Sequence, residues 1–200
     1  MKTRDTLPEG YREILSVDLQ KNKKLAIGVN LAAVFIAAAM VLIGCFIQPI
    51  TVLFDLSAGI LPYLARFGVL VVAMYAYIVL HELTHGITMK AFGCPKVKYG
   101  FTGLYAYAGS SAYFGKIPYL AVALAPVVVW GIVIALLTPV LPAAWFWVAY
   151  FVQIANISGA AGDFYVTLKF LRLPKSILVQ DVGVSMTVYA PTVENTQKMS

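Results

Sequence analysis

The sequence predicts an α-helical integral membrane protein with about four transmembrane helices and short β-strands or a hairpin on the cytoplasmic side. Composition is the first sign: 60% of the 200 residues are hydrophobic and 12% are charged, against about 25% charged in soluble domains. Apolar runs long enough to cross a bilayer are the second, and the placement of basic residues around those runs is the third. The runs take up so much of the chain that no separate soluble core of useful size remains. One membrane-embedded domain over residues 25–173 is therefore expected, with a cytoplasmic juxtamembrane arm at 1–24 and a tail at 174–200 that carries a strand.

The arm is polar and mixed in charge, and Ile14 to Leu19 contains no apolar run able to enter a bilayer. Leu25 to Ile47 is an uncharged stretch of 23 residues, longer than a signal-peptide core and long enough to span about 30 Å of hydrocarbon. Leu42-Ile43-Gly44-Cys45 resembles a lipoprotein cleavage box, but Asp5, Glu9, Glu13 and Asp18 make the preceding region a poor leader. After the connection Gln48 to Gly59, a second apolar segment runs from Ile60 to Phe92, with Arg66 near its start where it can snorkel to the interface. The third span is Tyr119 to Leu137, and the fourth runs from Ala143 to about Phe164. Pro139 and Pro142 make the link between them a tight turn, and Trp145, Trp147 and Tyr150 read as an aromatic belt at the membrane surface.

The formal net charge of +6 does not indicate nucleic acid, because the fifteen Lys and Arg lie in short patches beside apolar runs. Lys2, Arg4, Arg12, Lys21, Lys23 and Lys24 precede the first span. Lys90, Lys96, Lys98 and Lys116 lie between the second and third, and Lys169, Arg172, Lys175 and Lys198 follow the fourth. By the positive-inside rule both termini and the loop after the second span are cytoplasmic. In Val97 to Tyr113, aromatic residues at even spacing alternate with glycines, and Leu178 to Tyr189 places Val182, Val184, Met186 and Val188 on one face; both are strand candidates. Cys45 reads as a small core residue and Cys94 as a loop thiol, since two cysteines so placed form neither a disulfide framework nor a paired metal motif.

The chemistry is concentrated in His81-Glu82-Leu83-Thr84-His85. Two histidines four apart on a helix share a face one turn apart and can hold one zinc ion. Glu82 projects beside them, placed as the catalytic general base toward a metal-activated water. These are the only two histidines in the chain, and they lie in an otherwise apolar helix, where ionisable residues are functional candidates by default. The competing reading is a pair of core or surface histidines with Glu82 supporting the helix.

Catalytic zinc takes three protein ligands and keeps one open position. With no third histidine, the ligand is a carboxylate or thiolate from among Asp163, Asp181, Asp55 and Cys94. Counting about 20 residues inward along the second and fourth spans brings His81 and Asp163 to matching depth, which favours Asp163 and leaves Asp181 as the fallback. Asn156, seven residues before Asp163 and on the same helical face, is a candidate to bind substrate or orient a ligand, and the small residues from Ser158 to Gly162 allow close helix approach. The Tyr- and Gly-rich strand region offers either an edge to which an extended substrate adds or an ordinary hairpin over the helix ends.

These residues resemble the site-2-protease-like intramembrane metalloproteases, and more closely a bacterial family of zincin membrane peptidases. The resemblance rests on Leu7-Pro8-Glu9-Gly10-Tyr11, His81-Glu82-Leu83-Thr84-His85-Gly86, Ala125-Pro126 and the segment from Asn156 to Asp163. It implies a Zn2+ cofactor, proteolysis of a membrane protein or peptide substrate, a third ligand at Asp163, and residence in the bacterial cytoplasmic membrane. The chain departs from the site-2 group in having Gly162 before the aspartate and Phe164 after it. A non-catalytic zinc-binding membrane scaffold or regulatory partner is the alternative from another class.

Overall fold

The computed structural model describes residues 3–103, 105–183 and 185–192; Lys2, Val184 and Lys198 lie outside the described residues. Among the described residues there are five α-helices: α1 (Lys23–Ile47), α2 (Ile60–Ala91), α3 (Lys116–Leu137), α4 (Phe146–Gly159) and α5 (Ala161–Leu171). The described residues also form the strands β1 (Thr3–Arg4), β2 (Tyr11–Asp18), β3 (Lys98–Phe101), β4 (Ala106–Gly109), β5 (Tyr113–Gly115), β6 (Leu178–Asp181) and β7 (Ser185–Pro191). Among the described residues three helices are long and apolar enough to cross a membrane, Lys23–Ile47, Ile60–Ala91 and Lys116–Val140.

The expected fourth crossing is divided. α4 has 14 residues and α5 has 11, with Ala160 breaking the helix between them; at 1.5 Å per residue α4 reaches only about 21 Å, short of a bilayer core of about 30 Å. Gly159 and Gly162 do not mediate close packing, since a methyl group at either would meet nothing within 4 Å.

The chain forms two compact units, one of residues 28–81 and 126–162, the other of the remainder. In the first, a 3₁₀ turn at Ile50–Phe54 packs Leu53 against Trp147 and Val148 of α4. Trp147 is fully buried and its Nε1–H donates to Pro49 O at 3.1 Å, so it is a core residue rather than part of a surface belt. Gly44 of α1 is where helices approach closely, because a Cβ there would lie 2.8 Å from Trp147 Cη2. Arg66 does not snorkel to water: it is 4% exposed and its guanidinium donates to the Asp55 carbonyl. Along α1, by contrast, Ile27, Leu31, Val34, Phe35, Leu42 and Phe46 are exposed, as an apolar helix facing lipid requires. Cys45 is exposed on this helix rather than in a core, whereas Cys94 lies in the loop as expected and is buried there.

The second unit is built on an antiparallel five-stranded sheet of order β1-β5-β6-β7-β2. The arm is therefore structured: β2 pairs with β7 from Tyr11↔Pro191 to Asp18↔Ser185, with an irregularity between Glu13 and Leu15. Leu15 and Val17 turn inward to a core with Phe114, Tyr119, Phe170, Val179 and Val188. Asp18 Oδ1 then accepts from the N–H groups of Gln20 and Lys21, both at 2.9 Å, and Asn22 Oδ1 accepts from Leu25 N–H at 3.0 Å. The strand thus ends in a side-chain-bonded turn and α1 starts on an asparagine cap.

Both expected strand regions form hairpins. β3 pairs with β4 from Lys98↔Gly109 to Phe101↔Ala106, and β6 pairs with β7. The alternation read through Val182 is interrupted, however, because Val182 N–H bonds Ser185 O at 3.1 Å across a turn in which Gly183 has φ +94°. Lys116 is not a free loop cation: it is 8% exposed and its ammonium donates to Leu171 O at 2.9 Å and Leu173 O at 2.6 Å. It satisfies the carbonyl end of α5, where a positive charge also complements the helix dipole.

Gly183 combines positive φ with contact against the Tyr107 ring. Gly183→Ala should lower the melting temperature in detergent by roughly 5 °C or more, whereas Gly68→Ala, where a methyl meets nothing within 4 Å, should not lower it.

Candidate metal centre

The inward face of α2 is a single stripe. Arg66, Tyr77, His85 and Met89 are buried and Phe67, Leu70, Met74, His81 and Thr88 half-buried, while Val71, Val72, Tyr75, Val79, Leu83 and Ile87 on the other side are exposed. The helical period thus puts the two histidines on the face that meets protein and leaves the apolar face exposed. His81 and His85 lie one helical turn apart on α2.

His85 is buried, and its Nδ1 lies 2.9 Å from the Val122 carbonyl oxygen of α3. A carbonyl only accepts, so Nδ1 carries a proton, and the neutral tautomer that this bond selects has its lone pair on Nε2. That Nε2 is 3.7 Å from Asp163 Oδ1. Two ligands at about 2.0 to 2.2 Å from a tetrahedral ion sit roughly 3.3 to 3.6 Å apart, so the observed separation is close to what one cation would set. Asp163 lies in the first turn of α5, just past the break at Ala160. His81, His85 and Asp163 each offer one ligand atom, and these atoms all lie within 4.8 Å of one another, so the group could hold a metal ion.

His81 is oriented differently. Its Nδ1 is 2.8 Å from the Tyr77 hydroxyl, which donates to Asn156 Oδ1 at 2.9 Å. With its one proton committed to Asn156, the Tyr77 oxygen accepts from His81 Nδ1–H. Asn156 has no exposed surface, and its amide donates to Val127 O at 3.2 Å. Gly131 makes room for that amide, since a Cβ at 131 would lie 3.3 Å from Asn156 Nδ2. Glu82 is half-buried in the turn between the histidines.

Neither Asp55, Cys94 nor Asp181 belongs to the metal-competent group. Asp55 is bound to Ser57 through its N–H at 2.9 Å and its hydroxyl at 2.8 Å, which holds the Asp55 carboxyl below the usual range. Cys94 Sγ is 2.9 Å from Ser110 Oγ. Asp181, the fallback ligand, is buried and accepts from Tyr119 O–H at 2.8 Å and Gly183 N–H at 2.8 Å. Sequence reasoning missed Tyr77 and the Val122 carbonyl. The first had a signal, its position four residues before His81 on the same face; a backbone acceptor has none in side-chain chemistry.

The hairpin β3–β4 sits against the turn of α2 that carries the histidines, for the Tyr99 ring of β3 occupies the space that a side chain at Gly86 would need. Tyr99 and Phe101 remain 49% and 70% exposed.

Residues 74–178 match the family described as "Putative zincin peptidase", a stretch that contains Tyr77, His81, Glu82, His85, Asn156 and Asp163. No curated protein and no solved structure matches the chain.

Burial raises the Asp181 carboxyl from the usual 3.8 to about 6, against the lowering effects of the Gly183 N–H, the Tyr119 hydroxyl and His85. Because the folded state holds this proton more tightly, its stabilising effect is complete below about pH 4 and lost as pH rises through about 6. Asp181→Asn should match the wild type near pH 4 and exceed it in stability near pH 7 by on the order of 2 kcal/mol, read from melting curves across that range.

Proposed function

The chain belongs to the zincin peptidase family, and we propose that it is a zinc-dependent membrane metalloprotease that hydrolyses peptide bonds in a membrane protein or peptide substrate. The observation that carries this reading is the convergence of two imidazoles and one carboxylate within 4.8 Å. The donor set fits zinc in its chemistry: both rings are held through Nδ1, and two nitrogens with one oxygen leave a fourth tetrahedral position open.

Zinc, when bound, supplies a Lewis acid that polarises the scissile carbonyl and lowers the pKa of water to about 7. His81, His85 and Asp163 hold the ion. Glu82 takes up the proton released by the attacking water and delivers it to the departing amine. Asn156 orients rather than binds substrate in this reading, because both ends of its buried amide are engaged by Tyr77 and Val127. The exposed aromatic hairpin beside the metal-binding turn supports addition of an extended substrate strand there, which is required because a helical segment must unwind before its peptide bond can reach a metal. The resemblance to site-2-protease-like enzymes and the three apolar helices support catalysis at a membrane, with both termini in the cytoplasm by the distribution of basic residues.

Purified protein should hold about one zinc per chain. Glu82→Gln should keep that metal while cleavage of a membrane-derived peptide falls at least 100-fold; equal activity in the two proteins would favour a non-catalytic zinc scaffold. Asp163→Ala should lower zinc content measured by mass spectrometry, and unchanged content would remove Asp163 from the ligand set.

A further inference from the structure

We propose that Pro126 is a positioning residue of the metal centre, acting by keeping the Val122 carbonyl available to the His85 imidazole. Pro126 lies inside α3 and is fully buried. In an uninterrupted helix the N–H of residue 126 would bond the carbonyl of residue 122, four residues back. Proline has no N–H, and its ring pushes that carbonyl aside. The Val122 oxygen is therefore released from the helix ladder and tilted outward, and it is this oxygen that receives His85 Nδ1–H at 2.9 Å.

The consequence is chemical as well as geometric. A backbone carbonyl cannot donate, so it enforces the tautomer with the proton on Nδ1 and the lone pair on Nε2, the atom that faces Asp163 at 3.7 Å. The other histidine is handled differently: His81 is reached through Tyr77 and Asn156, and Asn156 donates to the carbonyl of Val127, which retains a possible helical donor in Gly131. His85 has no such adapter and bonds the helix backbone directly, at the position where proline removes the competing donor.

This inference rests on the reading of His81, His85 and Asp163 as metal ligands, and the test separates the two. Pro126→Val restores an N–H at similar side-chain volume, and Pro126→Ala restores it with a smaller side chain. In the full chain in detergent, zinc affinity measured by competition with a chromophoric chelator should fall about 10- to 100-fold in both variants. The melting temperature of the metal-free Pro126→Val protein should stay level or rise, because a helical hydrogen bond is regained. A purely structural proline would instead lower stability and leave affinity in step with it. Nitrogen-15 spectra of the metal-free wild type should show His85 protonated at Nδ1, with the other tautomer appearing in Pro126→Val.

Unchanged zinc affinity in Pro126→Val, or a wild-type His85 protonated at Nε2, would overturn the proposal. If the valine variant does not fold, the alanine variant and the wild-type tautomer decide. If the wild type itself binds no zinc, the metal reading fails, while the tautomer measurement still judges the role of Pro126.

Discussion

A polar stripe on an apolar helix persists only if the groups on it find partners, because a bilayer or an apolar core offers none. The inner face of α2 meets that constraint with oxygen atoms from neighbouring segments and, at His81, from a tyrosine one turn away on the same helix. Arg66 takes the Asp55 carbonyl, Tyr77 takes the Asn156 amide oxygen, His81 takes the Tyr77 hydroxyl, and His85 takes the Val122 carbonyl. Only Arg66 Nε on this stripe is a buried side-chain atom without a hydrogen-bond partner among the described residues. Two of the borrowed atoms are backbone oxygens, and the others come from side chains whose own needs are met in turn, so the stripe forms a connected network.

That network explains what was and was not readable from residues alone. The three long helices were legible because continuous apolar runs leave few alternatives. The His-Glu motif was legible because helical period alone puts its imidazoles side by side. The strand in the arm was not, because charged residues and the irregularity at Ile14 blur its alternation, and its inward side is defined only by pairing with β7 near the far end of the chain. Trp147 read as a surface anchor because Trp is usual there, but the carbonyl of Pro49 gives its indole N–H a buried acceptor. Depth counting brought Asp163 near the histidines by way of a continuous helix, whereas the chain breaks at Ala160 and sets the aspartate in the first turn of a new one.

The candidate site illustrates a more general limit on reading chemistry from side chains. Three of its atoms were visible as residue types, namely the two imidazoles and the carboxylate. The atoms that decide which nitrogen of each ring is available are a hydroxyl one turn away and a peptide oxygen from another helix. Pro126 is legible as a helix breaker, but which carbonyl it releases, and to whom, is a property of the packing.

Helix α3 also acts as a common gauge for two separate parts of the centre. Its first residue, Lys116, grips the end of α5 through Leu171 and Leu173, and Val122, six residues further along, grips His85. Those two attachment points are about 9 Å apart along one rigid rod. The short helix that delivers Asp163 cannot slide lengthwise without surrendering the ammonium at its far end. The carboxylate and the imidazole are thereby indexed to the same ruler, although nearly eighty residues of chain separate them.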